Sequence, residues 1–158
     1  MAIVIDTNIL AKLFDCENID HPNFAPVLLW IDRRKGFLLF GGTIYLEELK
    51  KAGRYLKLIN QLRTAGKAFR INCEAVDHLH SQVLPRTAGT KCNDSHIIAL
   101  LAASKCSLLC TEDAASIKFM KDKSLYPKGM IRVKIYSSIR NSKLLKLSDI
   151  EAVSNIVK

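Results

Sequence analysis

Glycine and proline are scarce in this sequence, seven and four among 158 residues, and nowhere do they cluster. Without a Gly/Ser-rich or Pro-rich stretch there is no linker to divide the chain, and no repeat or low-complexity segment breaks it either. Long apolar runs are also missing. The longest, Ile97 to Ala103, falls far short of the ~20 residues that span a bilayer. The N-terminus has no basic segment ahead of its apolar residues and reaches a carboxylate at Asp6, which does not suit a secretory signal. The five cysteines (Cys16, Cys73, Cys92, Cys106, Cys110) contain no CxxC pair and no Cys/His ligand spacing, which argues against zinc and for reduced thiols. These absences lead us to expect one soluble, cytoplasmic domain over residues 1–158, with no membrane contact.

What the chain does have is apolar residues, 49% of the total, and a surplus of positive charge. The net charge is +9, and it is unevenly distributed. Residues 1–30 carry one basic and four acidic side chains, whereas residues 31–70 carry ten and three. Residues 71–114 are again acidic on balance, and 115–158 again strongly basic. Basic segments of this kind suit a polyanionic partner, nucleic acid above all.

Short β-rich runs alternate with longer helical ones. Ala2–Ile5 reads as a buried strand that ends at a helix start, Asp6-Thr7-Asn8. Pro26–Lys35 reads as a helix with proline in its first turn and Gly36 as its stop, and Phe37–Phe40 as a second strand. Thr43–Ala65 reads as one long helix, since Leu46, Leu49, Leu56, Ile59 and Leu62 recur at helical spacing. A third strand at Phe69–Ile71 is followed by a helix, Cys73–Leu84, capped by Asn72, and by an exposed loop over Pro85–Cys92. Asn93 and Asp94 open an apolar helix through Ser104. Leu108–Cys110 and Ile131–Ile135 read as strands four and five, with a short helix, Ala114–Lys121, between them. Ser148-Asp149-Ile150-Glu151 matches a capping box, so residues 137–158 form a C-terminal extension containing a helix. This alternation predicts an α/β fold, a three-layer α/β/α sandwich on a parallel sheet.

In such a sheet the strand C-termini and helix N-termini share one edge, where ligands bind. Asp6 follows strand one, Asp113 lies just past strand four, Asp94 starts the helix before strand four, and Glu48 lies early in the helix after strand two. Singly, Asp6 and Asp94 could be ordinary N-caps, Asp113 could favour a helix dipole, and Glu48 could be a solvated helix residue. Four carboxylates at one edge repel unless a cation neutralises them. Oxygen-only ligation suits Mg²⁺ or Mn²⁺, and such an ion suits phosphodiester hydrolysis.

The same residues carry a resemblance. Ile3-Val4-Ile5-Asp6-Thr7-Asn8-Ile9-Leu10 resembles the opening motif of PIN domains, and Leu46-Glu47-Glu48-Leu49-Lys50 their second acidic motif. Asn93-Asp94-Ser95-His96-Ile97-Ile98-Ala99 is similar to the third, and Leu109-Cys110-Thr111-Glu112-Asp113 to the fourth, a strand ending in Thr-x-Asp. The ordered set covers residues 2–136. It implies a five-stranded parallel sheet of order 3-2-1-4-5 and cleavage of single-stranded RNA by a metal-activated water, leaving a 5′-phosphate and a 3′-hydroxyl. Asp6, Glu48, Asp94 and Asp113 would be the catalytic, metal-binding carboxylates, with Thr111 and Asn8 orienting them. Glu47 stays open as an alternative to Glu48. Compact PIN proteins of this size are often the toxins of VapC-type toxin–antitoxin pairs, which implies an antitoxin partner and a homodimer. The competing readings are an RNA-processing nuclease outside such a pair and a non-catalytic PIN-like module binding RNA or protein. A phosphatase of the haloacid dehalogenase type wants a second acid where Asn8 stands, and a phospho-receiver wants an acidic pair at the first strand.

Overall fold

The computed structural model describes residues 1–145; the capping box at Ser148 and the expected C-terminal helix lie outside the described residues. The strands are β1 (Ala2–Ile5), β2 (Phe37–Gly41), β3 (Ala68–Ile71), β4 (Leu108–Cys110) and β5 (Lys134–Tyr136). The helices are α1 (Leu10–Phe14), α2 (His21–Asp32), α3 (Thr43–Lys51), α4 (Gly53–Thr64), α5 (Cys73–Thr87), α6 (Ser95–Ser104) and α7 (Ala114–Met120). All strand pairs are parallel, and the order is 3-2-1-4-5, as the PIN resemblance implies. Val4 pairs with both Leu39 and Leu109, so β1 is the centre of the sheet.

Right-handed crossovers place helices on both faces. The connections from β1 through β2 to β3 run outward one way, and those from β3 through β4 to β5 run back across the sheet. α1 therefore packs on α2, and α2 on the 3₁₀ segment Ile139–Leu145, while α6 packs on α5 and against β1, β2 and β3. This is the expected α/β/α sandwich. The central strands are apolar throughout because both faces are covered: Ile3, Val4, Ile5, Leu38, Leu109 and Cys110 are fully buried. Each such Ile, Val or Leu contributes roughly 1.5–3 kcal/mol of burial.

Four expectations about elements need correction. The helix expected at Pro26–Lys35 starts earlier, at His21, with Pro22 in its first turn and Pro26 inside it. Proline at 26 removes one bond to the Pro22 carbonyl, yet Phe24, Val27, Trp30 and Ile31 are buried by the helix, and that packing outweighs the loss. Gly36 follows for a packing reason, since a Cβ there would stand 1.9 Å from the Trp30 ring.

The long helix expected over Thr43–Ala65 is two. Ala52 leaves helical geometry (φ −101°, ψ 49°) just before Gly53, and the chain turns. The turn lets α4 reach α1: Tyr55 stacks on Phe14 at 6.3 Å, its hydroxyl donates to Asp15 at 2.8 Å, and Arg54 pairs with Asp15 at 2.8 Å.

α5 runs through Pro85 to Thr87, so the first residues of the expected loop are helix. The fifth strand occupies Lys134–Tyr136, not Ile131–Ile135, with Leu108 opposite Lys134 and Ile131 left 71% exposed.

Candidate active site at the sheet edge

Two turns and a broken capping pattern build the site. β1 ends in Asp6, which is 2% exposed. Its Oδ1 accepts the backbone N–H of Asn8 at 3.2 Å, starting a short 3₁₀ turn at Thr7–Ile9 that leads into α1. Its Oδ2 accepts the hydroxyl of Thr111, from the end of neighbouring β4, at 2.9 Å. Asn8 thus acts through its backbone, with an exposed side chain, while Thr111 is buried and acts through its hydroxyl. Burial pushes the Asp6 carboxyl above its ordinary range and Glu48 adds to it, against the hydrogen bonds from Thr111 and Asn8.

Glu48 comes from α3, whose start is fixed by Gly42 at φ 88°, where a Cβ would meet Val76 Cγ1 at 2.6 Å. The Thr7 hydroxyl donates to Glu48 Oε2 at 2.6 Å, and His96 Nε2 lies 3.2 Å from Oε1. Burial pushes Glu48 upward, but His96, Thr7 and Lys51 outweigh it and hold the carboxyl below its usual range. Its neighbour Glu47 is exposed. Of the two candidates the fold turns Glu48 toward Thr7 and His96. Between Glu48 and β1, the buried Tyr45 hydroxyl donates to the Ile5 carbonyl at 2.5 Å and anchors α3 to the strand end.

Asp94 occupies the N-cap position of α6 but makes no side-chain capping bond. Its Oδ2 accepts the hydroxyl of buried Ser116 at 3.0 Å instead. Burial raises its pKa first, then repulsion from Asp6, with a further push from Asp113, against the Ser116 hydrogen bond and the His96 charge. Asp113 accepts the same Ser116 hydroxyl on Oδ2 at 3.0 Å and caps α7 through the Ala115 N–H on Oδ1 at 3.1 Å. One hydroxyl has one proton, so Ser116 donates to either carboxylate at a time and links them.

The edge thus carries all four residues picked from the sequence, in two linked groups: Asp6 with Thr111 and Glu48, and Asp94 with Ser116 and Asp113. Among the described residues, no three His, Cys, Asp or Glu side chains stand ready-made to hold a metal ion. Each carboxylate is turned to a hydroxyl, and ligation would draw oxygens away from those partners. The donor set itself, carboxylates backed by hydroxyls, suits a hard dication.

Sequence reasoning missed three contributors. Ser116 sits on the short α7 outside the acidic motifs, and Thr7 inside the first motif reads as a helix-start residue. His96 is hidden in the apolar run of α6. At the rim, Lys12 pairs with Glu112 and, at 2.9 Å, with Asp20; both contacts raise its pKa. Glu112, the neighbour of Asp113, is thereby engaged outside the cluster.

No protein-family model matches the chain, and neither does any curated protein. Among solved structures it is similar to the crystal structure of FitAcB from Neisseria gonorrhoeae, at 20% identity over 73% of this chain and 91% of that chain, with a TM-score of 0.43. It is also similar to FitAB bound to an IR36 DNA fragment, at 19% identity over 73% and 88%, with a TM-score of 0.43. Among the described residues no helix is long and apolar enough to cross a membrane.

Proposed function

We propose that this protein is a divalent-metal-dependent endoribonuclease of the PIN type, acting on single-stranded RNA with Asp6, Glu48, Asp94 and Asp113 as its catalytic carboxylates. One observation carries the reading. Asp6 and Asp94 are both raised in pKa by burial, Asp6 further by Glu48 and Asp94 further by Asp6 and Asp113, so the fold holds carboxylates together against their charge. Such an arrangement costs stability in the bare protein and is characteristic of sites that bind a cation or do chemistry.

A Mg²⁺ or Mn²⁺ ion held by these carboxylates would supply Lewis acidity to the phosphodiester and to the attacking water. The chain's own residues do the rest. Thr111 fixes the rotamer of Asp6, Thr7 that of Glu48, and Ser116 holds Asp94 beside Asp113. The basic stretches 31–70 and 115–145 provide the cations that attract an RNA backbone. The PIN resemblance further implies a toxin silenced by an antitoxin protein and active as a homodimer. A small DNA-binding protein encoded directly upstream that co-purifies with this chain would support that role, and its absence would favour an RNA-processing nuclease.

The test is cleavage of unstructured RNA by the purified protein with Mn²⁺ or Mg²⁺. The expected result is endonucleolytic products with 5′-phosphate ends, abolished by chelator and by Asp6→Asn. Cleavage that survives both would overturn the site. RNA binding without cleavage under any divalent ion would favour the non-catalytic module.

A further inference from the structure

Among the described residues, the longest connection between two elements of the sandwich is also the most basic. Residues 121–133 join α7 to β5, where an ordinary connection takes roughly 2–6 residues. The loop is pinned to the fold: Leu125 and Val133 are buried, and the Tyr126 hydroxyl donates to the Met120 carbonyl at 2.7 Å. Its one acid, Asp122, accepts the Ser124 hydroxyl at 2.7 Å and the Ser124 N–H at 2.9 Å, which hold its carboxyl below the ordinary range. Loops of this length that are neither disordered nor linkers are usually functional.

Lys121, Lys123, Lys128 and Arg132 line a surface pocket of about 550 Å³ in this loop. All four are exposed, and among the described residues none of them is in an ion pair. Elsewhere cations are matched to acids: Lys12 holds Asp20 and Glu112, Arg54 holds Asp15, and Lys67 holds Asp32. Four like charges around one pocket repel, and a polyanion relieves them. The pocket is also joined to the carboxylate edge. α7 starts at the Asp113 cap and is seven residues long, so it rises roughly 10 Å from that edge to the loop. Its exposed face runs through Ala114, Lys118 and Lys121 at helical spacing, while Ser116 and Met120 are buried. Cations therefore continue from the site into the pocket, with only the small side chains of Ala114 and Ala115 next to Asp113.

We infer that the loop at residues 121–133 is a phosphate-binding exosite, which holds the RNA strand several nucleotides from the carboxylates after it has passed along the exposed face of α7. The exosite rests on the nuclease proposed above and adds the side of the edge by which the strand leaves. Lys118 and Lys121 neutralise phosphates on the way, and Lys123, Lys128 and Arg132 neutralise those in the pocket, releasing counterions from the strand. Because the loop is already ordered, little entropy is lost in placing these cations. Exposed Ile131 gives the pocket an apolar surface for an unpaired base, which a duplex keeps stacked inside. An acidic peptide would also satisfy the cations, but it would not explain their continuity with a site suited to phosphodiesters.

The test is binding, in chelator and without turnover, of a fluorescent oligouridine of about 15 nucleotides to the full chain, read by anisotropy across a salt series. The expected result is weaker binding when Lys123→Gln and Lys128→Gln are combined. The slope of log Kd against log salt should fall by roughly 1.4, two single-strand phosphate contacts at about 0.7 each. Lys123→Arg with Lys128→Arg should keep both affinity and slope. Oligouridine carrying 4-thiouridine should crosslink to residues 121–133 of the wild type, which locates the contact without any substitution. Crosslinks confined to other segments, or affinity and slope unchanged in the glutamine pair, would overturn the exosite; Mn²⁺-dependent cleavage by that same protein would spare the carboxylates. Oligoglutamate that displaces the RNA as well as unlabelled oligouridine does would overturn it in favour of an acidic partner. A wild type that binds RNA through this loop yet cleaves none with Mn²⁺ or Mg²⁺ would keep the phosphate site and remove the nuclease. Failure of the wild type to bind oligouridine at all would sink the exosite outright.

Discussion

Asp77 and Asp94 stand on neighbouring packed helices, and the fold treats their carboxylates in opposite ways. Asp77, on α5, accepts the backbone N–H of Thr43 at 2.9 Å and its hydroxyl at 2.5 Å. It thereby caps α3 from a distance, where Gly42 has no side chain to do so, and the hydrogen bonds from Thr43 hold its pKa down. Asp94 sits at an N-cap position and leaves the cap unmade, reaching across to Ser116 from a half-buried place where burial and Asp6 raise its pKa. One carboxylate is ionised to the benefit of the fold, and the other is kept against it. The contrast separates structural acids from candidate functional ones better than their positions in the chain do, because Asp77 caps α3 from inside α5 while Asp94, at an N-cap position, caps nothing.

The contrast is most exposed to failure in RNA cleavage. Asp94→Asn should lower the cleavage rate by about a thousandfold or more, as expected when several kcal/mol of Lewis-acid stabilisation is lost. Asp77→Asn should leave the rate per folded molecule unchanged. Equal losses in the two variants would erase the distinction. A smaller effect concerns Ser116, whose hydroxyl joins Asp94 to Asp113. Ser116→Ala should weaken Mn²⁺ binding about 10–100-fold, in line with other residues that orient ligands, and calorimetry reads this directly. Binding unchanged by the substitution would mean that Ser116 is packing alone.

Smaller still is the effect on stability. Asp77→Asn should cost about 1 kcal/mol in chemical denaturation, the usual value of a helix cap. Asp94→Asn should instead raise the melting temperature in chelator, because it removes a half-buried charge that burial and Asp6 disfavour. The two should also part with pH. The Asp77 carboxyl is depressed in the fold, so its contribution is present above the unfolded-state value of ~3.9 and fades as pH falls through its lower folded value. The Asp94 carboxyl is raised, so its stabilising contribution is complete below ~3.9 and is lost as pH rises through its higher folded value. Asp94→Asn should therefore gain on the wild type as pH climbs from 4 toward neutrality, in thermal melts without divalent ions. A gain that is the same at every pH would deny the raised carboxyl.

Much of this was legible in the sequence, and unevenly so. β1, β2 and β4 were readable because central parallel strands must be apolar on both faces, and Asn72 was readable as a cap because its side chain does cap, at 3.0 Å from the Ala75 N–H. The break at Ala52 was not, since the apolar spacing continues across it and only the contacts of Tyr55 and Arg54 with α1 show why the helix turns. Pro26 misled because proline usually marks a first turn, and Pro22 already holds that place. At the site, the edge positions of Asp6, Glu48, Asp94 and Asp113 followed from topology. The choice between Glu47 and Glu48 needed the rotation of α3, and Ser116 and His96 needed tertiary neighbours that no local spacing encodes.

The central claim is that Asp6 and Asp94 belong to a cation site while Asp77 belongs to the fold. Calorimetric titration of Mn²⁺ into the wild type, Asp6→Asn, Asp94→Asn and Asp77→Asn tests it most directly. The account predicts binding in the wild type and in Asp77→Asn with the same affinity, and at least about a tenfold loss in each of the other two. Equal affinity in all four proteins, or a loss confined to Asp77→Asn, would contradict it.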